Sequence, residues 1–352
     1  MSCLSFKTLH YLVHWTITMF VMAHAPVFAG AADVDNQANQ QHTAFHWLDN
    51  SRWALDLSTR FTQDTNADHL SSQHVIGVDF HKVFTGKNGD IATLVFQPYW
   101  MRLNAVKKPA YFFDDGDDSE ITWRIANINF TGLTRNALNF RIGHFEVPFG
   151  LEQNIDTNGT LRQYTFSDRG IKADWGVSVN GILAQLDYEV ALTRGSGNNI
   201  SDRDNPYVFA GRIGTPSRGN TVVGLSWFDG EVLTAPGTVA RKRIGIDIVH
   251  YYRQWEILAE LSGGENSGLG QGNALLELSW RNPMESLHTY LQLRHMKQEH
   301  ASTWQDHSSV SLGVQWKVNR FVDASTEWFN ELDTVAGQQT ASKLVAQLRV
   351  RI

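Results

Sequence analysis

Gly143-His144-Phe145-Glu146-Val147-Pro148-Phe149-Gly150-Leu151-Glu152 is the stretch on which the fold of this chain turns. Before it, Leu138 to Ile142 alternates apolar and polar side chains like a strand. After it come roughly 20 residues without a strand pattern, until Ile171, and a structureless connection of that length is uncommon unless it has a function. Pro148 and Gly150 turn the chain sharply. Phe145, Phe149, Ile155, Leu161, Tyr164 and Phe166 are too many large apolar groups for a loop lying in water. The segment reads as a loop that folds inward and packs against the inside wall of a β-barrel, narrowing it.

The strands on either side support that barrel. Trp53, Leu55, Leu57, Thr59 and Phe61 share one face, with Asp56, Ser58 and Arg60 on the other. Ile171 to Asn180, Leu186 to Thr193, Arg243 to Ile248, Ser309 to Lys317 and Lys343 to Ile352 repeat the alternation, each with one apolar and one polar face. About sixteen such segments follow one another, most of ~9–11 residues, the length that crosses a bilayer at a tilt. Trp123 to Ile128 breaks phase, which places a bulge in the fourth.

Connections alternate long and short down the chain. Gln63–Gln73, Asn104–Ser119, Glu146–Gly170, Gly195–Asn205, Glu231–Ala240, Gly264–Gly272, Gln298–Asp306 and Glu331–Ala341 read as long. Thr85–Asp90, Leu133–Ala137, Gly181–Ala184, Thr215–Asn220, Arg253–Gln254, Asn282–Ser286 and Asn319–Arg320 read as short. That parity is the asymmetry of transmembrane antiparallel β-barrels in the outer membrane. A soluble, secreted β-sandwich that binds glycans is the competing architecture. Trp53, Trp175, Trp227, Trp255, Trp280, Trp316 and Trp328 fall near strand ends, as in an aromatic girdle.

The chain has 352 residues, of which 42% are hydrophobic and 19% charged, with a net charge of -6. That charge argues against a nucleic-acid binder, which needs a basic stripe. Lys7 precedes an apolar run from Tyr11 to Ala23, and Val27-Phe28-Ala29 offers a small-residue cleavage site. Residues 1–29 therefore read as a signal peptide, 30–51 as a polar periplasmic lead-in, and 52–352 as an outer-membrane porin domain. Cys3, the only cysteine, would leave with the leader.

Phe140-Arg141-Ile142-Gly143-His144-Phe145-Glu146-Val147-Pro148-Phe149-Gly150-Leu151-Glu152 resembles the R-x-G-x-F-x-x-P-F-G-L-E segment of Gram-negative porins of the phosphate-selective porin O and P family. The sharp likeness covers about a tenth of the chain. It implies a sixteen-stranded homotrimeric channel whose third external loop constricts the lumen. Small hydrophilic solutes or ions, anions such as phosphate among them, would pass. Two departures stand out. A basic residue is often found where Glu146 stands, and many such barrels end in an aromatic residue where this chain has Ile352.

For a channel the chemistry is electrostatic, since rings of charge at a narrow waist select by sign and size. The expected constriction residues are Glu146, Pro148, Phe149, Glu152, Asp156, Arg162 and Arg169. The expected wall residues are Arg60, Arg124, Arg141, Lys172, Asp174, Arg212, Arg243, Arg294, Lys343 and Arg349. Wall acids such as Asp56, Asp79, Glu189, Asp247, Glu256, Glu260 and Glu277 nearly balance the cations, so the loop is left to set the sign. Cross-strand ion pairs that hold the barrel's shape account for most of these charges. Asp114-Asp115-Gly116-Asp117-Asp118 reads as a solvated external loop bridged to lipopolysaccharide by divalent ions.

No cofactor or resident metal is expected, and no enzyme. His288, His295 and His307 lie near serines, but a triad is defined by geometry and not by proximity in sequence. The remaining alternative is a barrel that sheathes a partner protein.

Overall fold

The computed structural model describes residues 50–66, 70–87, 89–105, 118–134, 137–153, 155, 158–164, 169–201, 203–234, 236–300, 303–333 and 340–352. The leader and most of the lead-in, residues 1–49, lie outside them, as do Asp114, Asp115 and Asp117 of the acidic cluster. The described residues form sixteen strands: β1 (Ser51–Asp64), β2 (Leu70–Gly86), β3 (Gly89–Asn104), β4 (Ser119–Phe130), β5 (Asn139–Glu146), β6 (Ala173–Ile182), β7 (Asp187–Thr193), β8 (Tyr207–Gly214), β9 (Thr221–Thr234), β10 (Gly237–Tyr252), β11 (Trp255–Asn266), β12 (Leu269–Arg281), β13 (Leu287–His300), β14 (Thr303–Lys317), β15 (Val322–Asp333) and β16 (Ser342–Arg351). Each pairs antiparallel with its sequence neighbours, and β1 pairs with β16 to close the ring. A closed ring has no second sheet stacked on it, so the β-sandwich is excluded.

The alternation in sequence decides which face points where. Leu225, Ile246 and Leu261 stand in register on β9, β10 and β11 and are 52%, 51% and 57% exposed. On the opposite face of the same strands Ser226, Asp247 and Glu260 are buried. This chain is apolar outside and polar inside, the reverse of a soluble domain. Closure satisfies the ladder hydrogen bonds all round, which is the condition for a sheet in hydrocarbon.

The expected bulge in β4 is present. Gln97 pairs with Ile125 and Pro98 with Trp123, which leaves Arg124 as the extra residue. Pro98 has no N–H to offer the ladder, so the irregularity falls where a bond was already missing. The bulge re-aims Arg124, which matters below.

Three of the expected long connections are instead tight hairpins. β9 and β10 are joined through 235–236, β11 and β12 through 267–268, and β13 and β14 through 301–302. Ser267 and Gly268 both have positive φ, 47° and 83°, as a two-residue hairpin turn requires. The strands run past the point where their outward residues stop being apolar, at Asp229, Lys242 and Glu265. Periodicity then ceases to mark them while the ladder continues. For the same reason Trp227 and Trp328 lie mid-strand rather than at an end, whereas Trp53, Trp255, Trp280 and Trp316 do cluster at the short-connection end.

β5 ends at Glu146 and β6 begins opposite it at Ala173, while β4 continues beyond both. The resulting gap in the wall is bridged by the β7–β8 connection. Asn198 Oδ1 accepts the N–H of Trp123 at 2.6 Å, and its carbonyl accepts Trp175 Nε1 at 2.9 Å. Asp174 accepts the backbone N–H groups of Gly195 and Gly197, the latter at 3.0 Å. Asn198→Leu is expected to cost about 1–3 kcal/mol by orphaning the Trp123 N–H. The measurement is the temperature at which the folded gel band of the purified barrel converts to the unfolded one, which the substitution should lower.

Candidate functional site

The connection from β5 to β6 enters the lumen at once. Gly150 takes φ 62°, and a Cβ there would stand 2.0 Å from Glu260 Oε2, so only glycine fits. A single 3-10 turn, Gly150–Gln153, follows. Phe145, Val147, Phe149, Leu151, Ile155, Leu161 and Tyr164 are all buried. Val147, Phe149 and Ile171 pack on Val208, Ala210, Phe228 and Val232 of β8 and β9. Leu151, Ile155 and Tyr164 pack on Val222, Val249, Leu258 and Leu275 of β9 to β12. The inner wall is thus apolar where the loop lies on it. Each large side chain removed from water contributes about 1.5–3 kcal/mol.

Charged groups fasten the loop at two further places. Arg162 bonds Glu277 through Nε at 2.9 Å and Glu256 through Nη2 at 3.1 Å, with Tyr164 and Tyr290 against its guanidinium. Arg169 bonds Glu260 at 2.8 Å, lies 3.8 Å from Glu152, and stacks over Phe149 at 4.4 Å. Lys172 reaches Glu146 at 3.6 Å and Glu152 at 3.9 Å. Burial pushes the Glu152 carboxyl up from 4.5 to about 7, against the pull of Lys172 and Arg169.

The tip of the loop is held from the opposite wall. Three successive carbonyls, of Asn158, Gly159 and Thr160, accept hydrogen bonds from Arg349 at 3.1 Å, Gln347 at 2.7 Å and Arg60 at 3.4 Å. The Asn158 amide donates to the Tyr99 hydroxyl at 3.1 Å, and that hydroxyl reaches Asp56 and Asp79. Arg349 pairs with Asp56, and Arg351 with Asp79 at 2.7 Å. The loop therefore crosses the whole lumen, from β5 to the β9–β12 wall and back to β16 and β1.

What remains open is two vestibules, of about 1080 Å³ toward the short connections and about 920 Å³ toward the long ones. Three residues line both: Arg124 on the β4 bulge, Glu146 at the end of β5, and Asn158 on the loop. They mark the waist. In the smaller vestibule Arg60, Arg124, Lys172 and Arg349 face Asp56 and Glu146, a surplus of two positive charges. In the larger, Arg52, Arg124, Arg141, Arg212 and Arg351 face Asp79, Glu146, Asp187 and Glu189, with Asp247 paired to Arg212 behind them, so the charges balance.

Of the expected constriction residues, Glu146 stands at the waist. Pro148 and Phe149 are buried against the wall, and Glu152, Arg162 and Arg169 form the buried fastenings. Asp156, with Phe166 and Asp168, lies outside the described residues. Of the expected wall residues, Arg60, Arg124, Lys172 and Arg349 line the smaller vestibule, and Arg124, Arg141 and Arg212 the larger. Arg141 pairs with Glu189 at 2.9 Å. Arg212 pairs with Asp247 two strands away, across Gly224, where a Cβ would stand 2.2 Å from the guanidinium. Arg294 bonds Gln292, and Lys343 pairs with Asp64 at 3.6 Å. Asp174 and Arg243 serve backbone instead: the first caps the β7–β8 connection, the second bonds the carbonyls of Lys242 and Glu265.

Asn158, Tyr99, Gln347 and Arg351 were not singled out by the sequence. Tyr99 is in phase with the inward Gln97 and Met101 of β3, but an aromatic side chain in a barrel strand reads as lipid-facing. Arg351 was legible in principle, since it alternates in phase with Arg349.

No family model matches the chain, and no curated relative does. Solved structures do. An anion-selective porin from Comamonas acidovorans superimposes with a TM-score of 0.64 at 10% identity, covering 86% of this chain and 99% of that one. OmpF of Salmonella typhi gives 0.62 at 8% identity, over 86% and 97%. OmpT of Vibrio cholerae in its trimer form gives 0.59 at 12% identity, over 86% and 99%. What the chain shares with these outer-membrane proteins is the closed barrel fold, sixteen-stranded in this chain.

Proposed function

We propose that the chain forms a water-filled channel in the outer membrane of a Gram-negative bacterium, through which small hydrophilic solutes or ions diffuse passively. The observation that carries this reading is the pair of vestibules lined with charged side chains and meeting at Arg124, Glu146 and Asn158 inside a closed barrel with an apolar exterior. Residues 1–29 would be removed as the signal peptide, 30–51 would lead in from the periplasm, and 52–352 would form the barrel. The long connections would face outward, toward lipopolysaccharide, and the working unit would be a homotrimer. Chemistry on the solute is not part of this reading: the protein is a passage and not an enzyme.

The positive surplus in the smaller vestibule favours anions, as does the likeness of Arg141–Glu152 to the phosphate-selective porins and of the barrel to a protein named an anion-selective porin. Glu146 opposes that preference at the waist. Planar-bilayer recording of the purified protein is the test, and an absence of channel steps would end this reading. A barrel sheathing a partner protein would give that silent result.

Glu146→Gln should move the reversal potential in a salt gradient toward the anion side. One charge within ~5–8 Å of the path, at an effective dielectric between protein and water, is worth roughly 1 kcal/mol, or about fivefold in permeability ratio. Arg124→Gln should move it the other way. Unmoved potentials would place the filter elsewhere.

A further inference from the structure

We propose that the vestibule nearer the long connections is a transient binding site for an organic anion with a short apolar body, an aromatic or branched aliphatic carboxylate. The proposal rests on the channel reading above and names the solute class of that same lumen.

Strand pairing fixes the inner wall row by row. At one height the inward residues run Arg349, Ser58, Val75, Met101 across β16, β1, β2 and β3. One rung up, Gln347 and Arg60 pair across β16 and β1, and Gln73 follows on β2. A wet lumen calls for polar side chains on this face. Val75 and Met101 break that rule side by side, and both line the open vestibule rather than the packed patches beneath the loop. Ser58 is small, which leaves a shelf between the arginine and the apolar pair.

The cations beside that shelf suit a carboxylate. Arg60 donates to the Gln347 amide oxygen at 2.8 and 3.0 Å and to the Thr160 carbonyl, all neutral acceptors, and the carboxylate in its field is Glu327. The vestibule as a whole carries the surplus of two positive charges counted above. Neighbouring strands lie ~4.8 Å apart, so the backbone of Val75 is roughly 8 Å from that of Arg60, counting one strand and one rung, and that of Met101 about one strand further. That is the reach of a benzoate: carboxylate at Arg60, ring on Val75 and Met101. Inorganic phosphate would use the cations and leave the apolar pair idle.

The experiment is single-channel recording of the full-length, membrane-reconstituted protein in KCl, with benzoate, acetate or phosphate added to one side. Benzoate should interrupt the current at concentrations where acetate and phosphate do not. In the double variant Val75→Ser, Met101→Ser the half-blocking benzoate concentration should rise about tenfold, the scale on which a few apolar contacts discriminate. The KCl steps in the same traces report that each barrel is folded and open. Absence of KCl steps in the wild type would overturn the channel reading itself. Steps with equal responses to the three anions, or a block untouched by the double substitution, would overturn this proposal alone.

Discussion

Arg162→Leu should raise single-channel conductance roughly twofold, with a noisier open level, because the narrowest part of the passage sets the flow. Arg162 is a buried charged fastening of the loop, 5% exposed, and Glu277 beneath it is fully buried. Removing the guanidinium strands Glu277 away from water, while Glu256 keeps Arg281 at 3.5 Å, and breaking one side of such a buried set costs about 3–5 kcal/mol. The loop can escape that cost by lifting off the β11–β12 wall and letting water in, and lifting it widens the waist. A triple variant, Arg162→Leu with Glu256→Gln and Glu277→Gln, removes the buried charge and should restore thermal stability. Conductance and denaturation temperature both matching the wild type in Arg162→Leu would show that the apolar seat holds the loop unaided.

A second large effect is expected from pH, through Glu152. Its carboxyl sits at about 7 in the folded chain, raised by burial, against an ordinary value of 4.5. A group held above its unfolded value stabilises the fold below that unfolded value and loses the contribution as pH rises through the folded one. The loop's seat should therefore be firmest below about pH 4.5 and weaken up to about pH 7, by at most roughly 3 kcal/mol. Glu152→Gln removes the titration. Subtracting its denaturation temperatures from those of the wild type between pH 4 and 8 should give a curve that falls with rising pH. A flat difference would mean that Lys172 and Arg169 already compensate the carboxylate in full.

The period-two alternation made the wall readable, because one face meets lipid and the other water at every rung. It failed where that contrast ends. Above Asp229, Lys242 and Glu265 the outward residues are polar, so continuing strands looked like loops. The loop's inward turn was legible in Phe145, Phe149, Leu161 and Tyr164, which have nowhere else to hide. Which charges faced the passage was not. Arg162 and Arg169 read as lumen-facing because they sit in the loop, yet their partners Glu256, Glu260 and Glu277 lie some 90 residues or more away on the far wall. Only the closed barrel brings them together. Likewise Asp174 alternates in phase with wall residues, but the early end of β5 turns it to caring for the neighbouring connection. The Arg124 bulge was visible as a break in phase, although its place at the waist needed the position of Asn158 as well.

The three donors that grip the carbonyls of residues 158–160 come from the first strand and the last. Those two strands are the pair whose zipping closes the ring, so a barrel with that seam still open lacks the clasp and its interior is wide. Ring closure and throttling are thus a single event, and a cylinder that has not sealed would also be one that has not yet been narrowed.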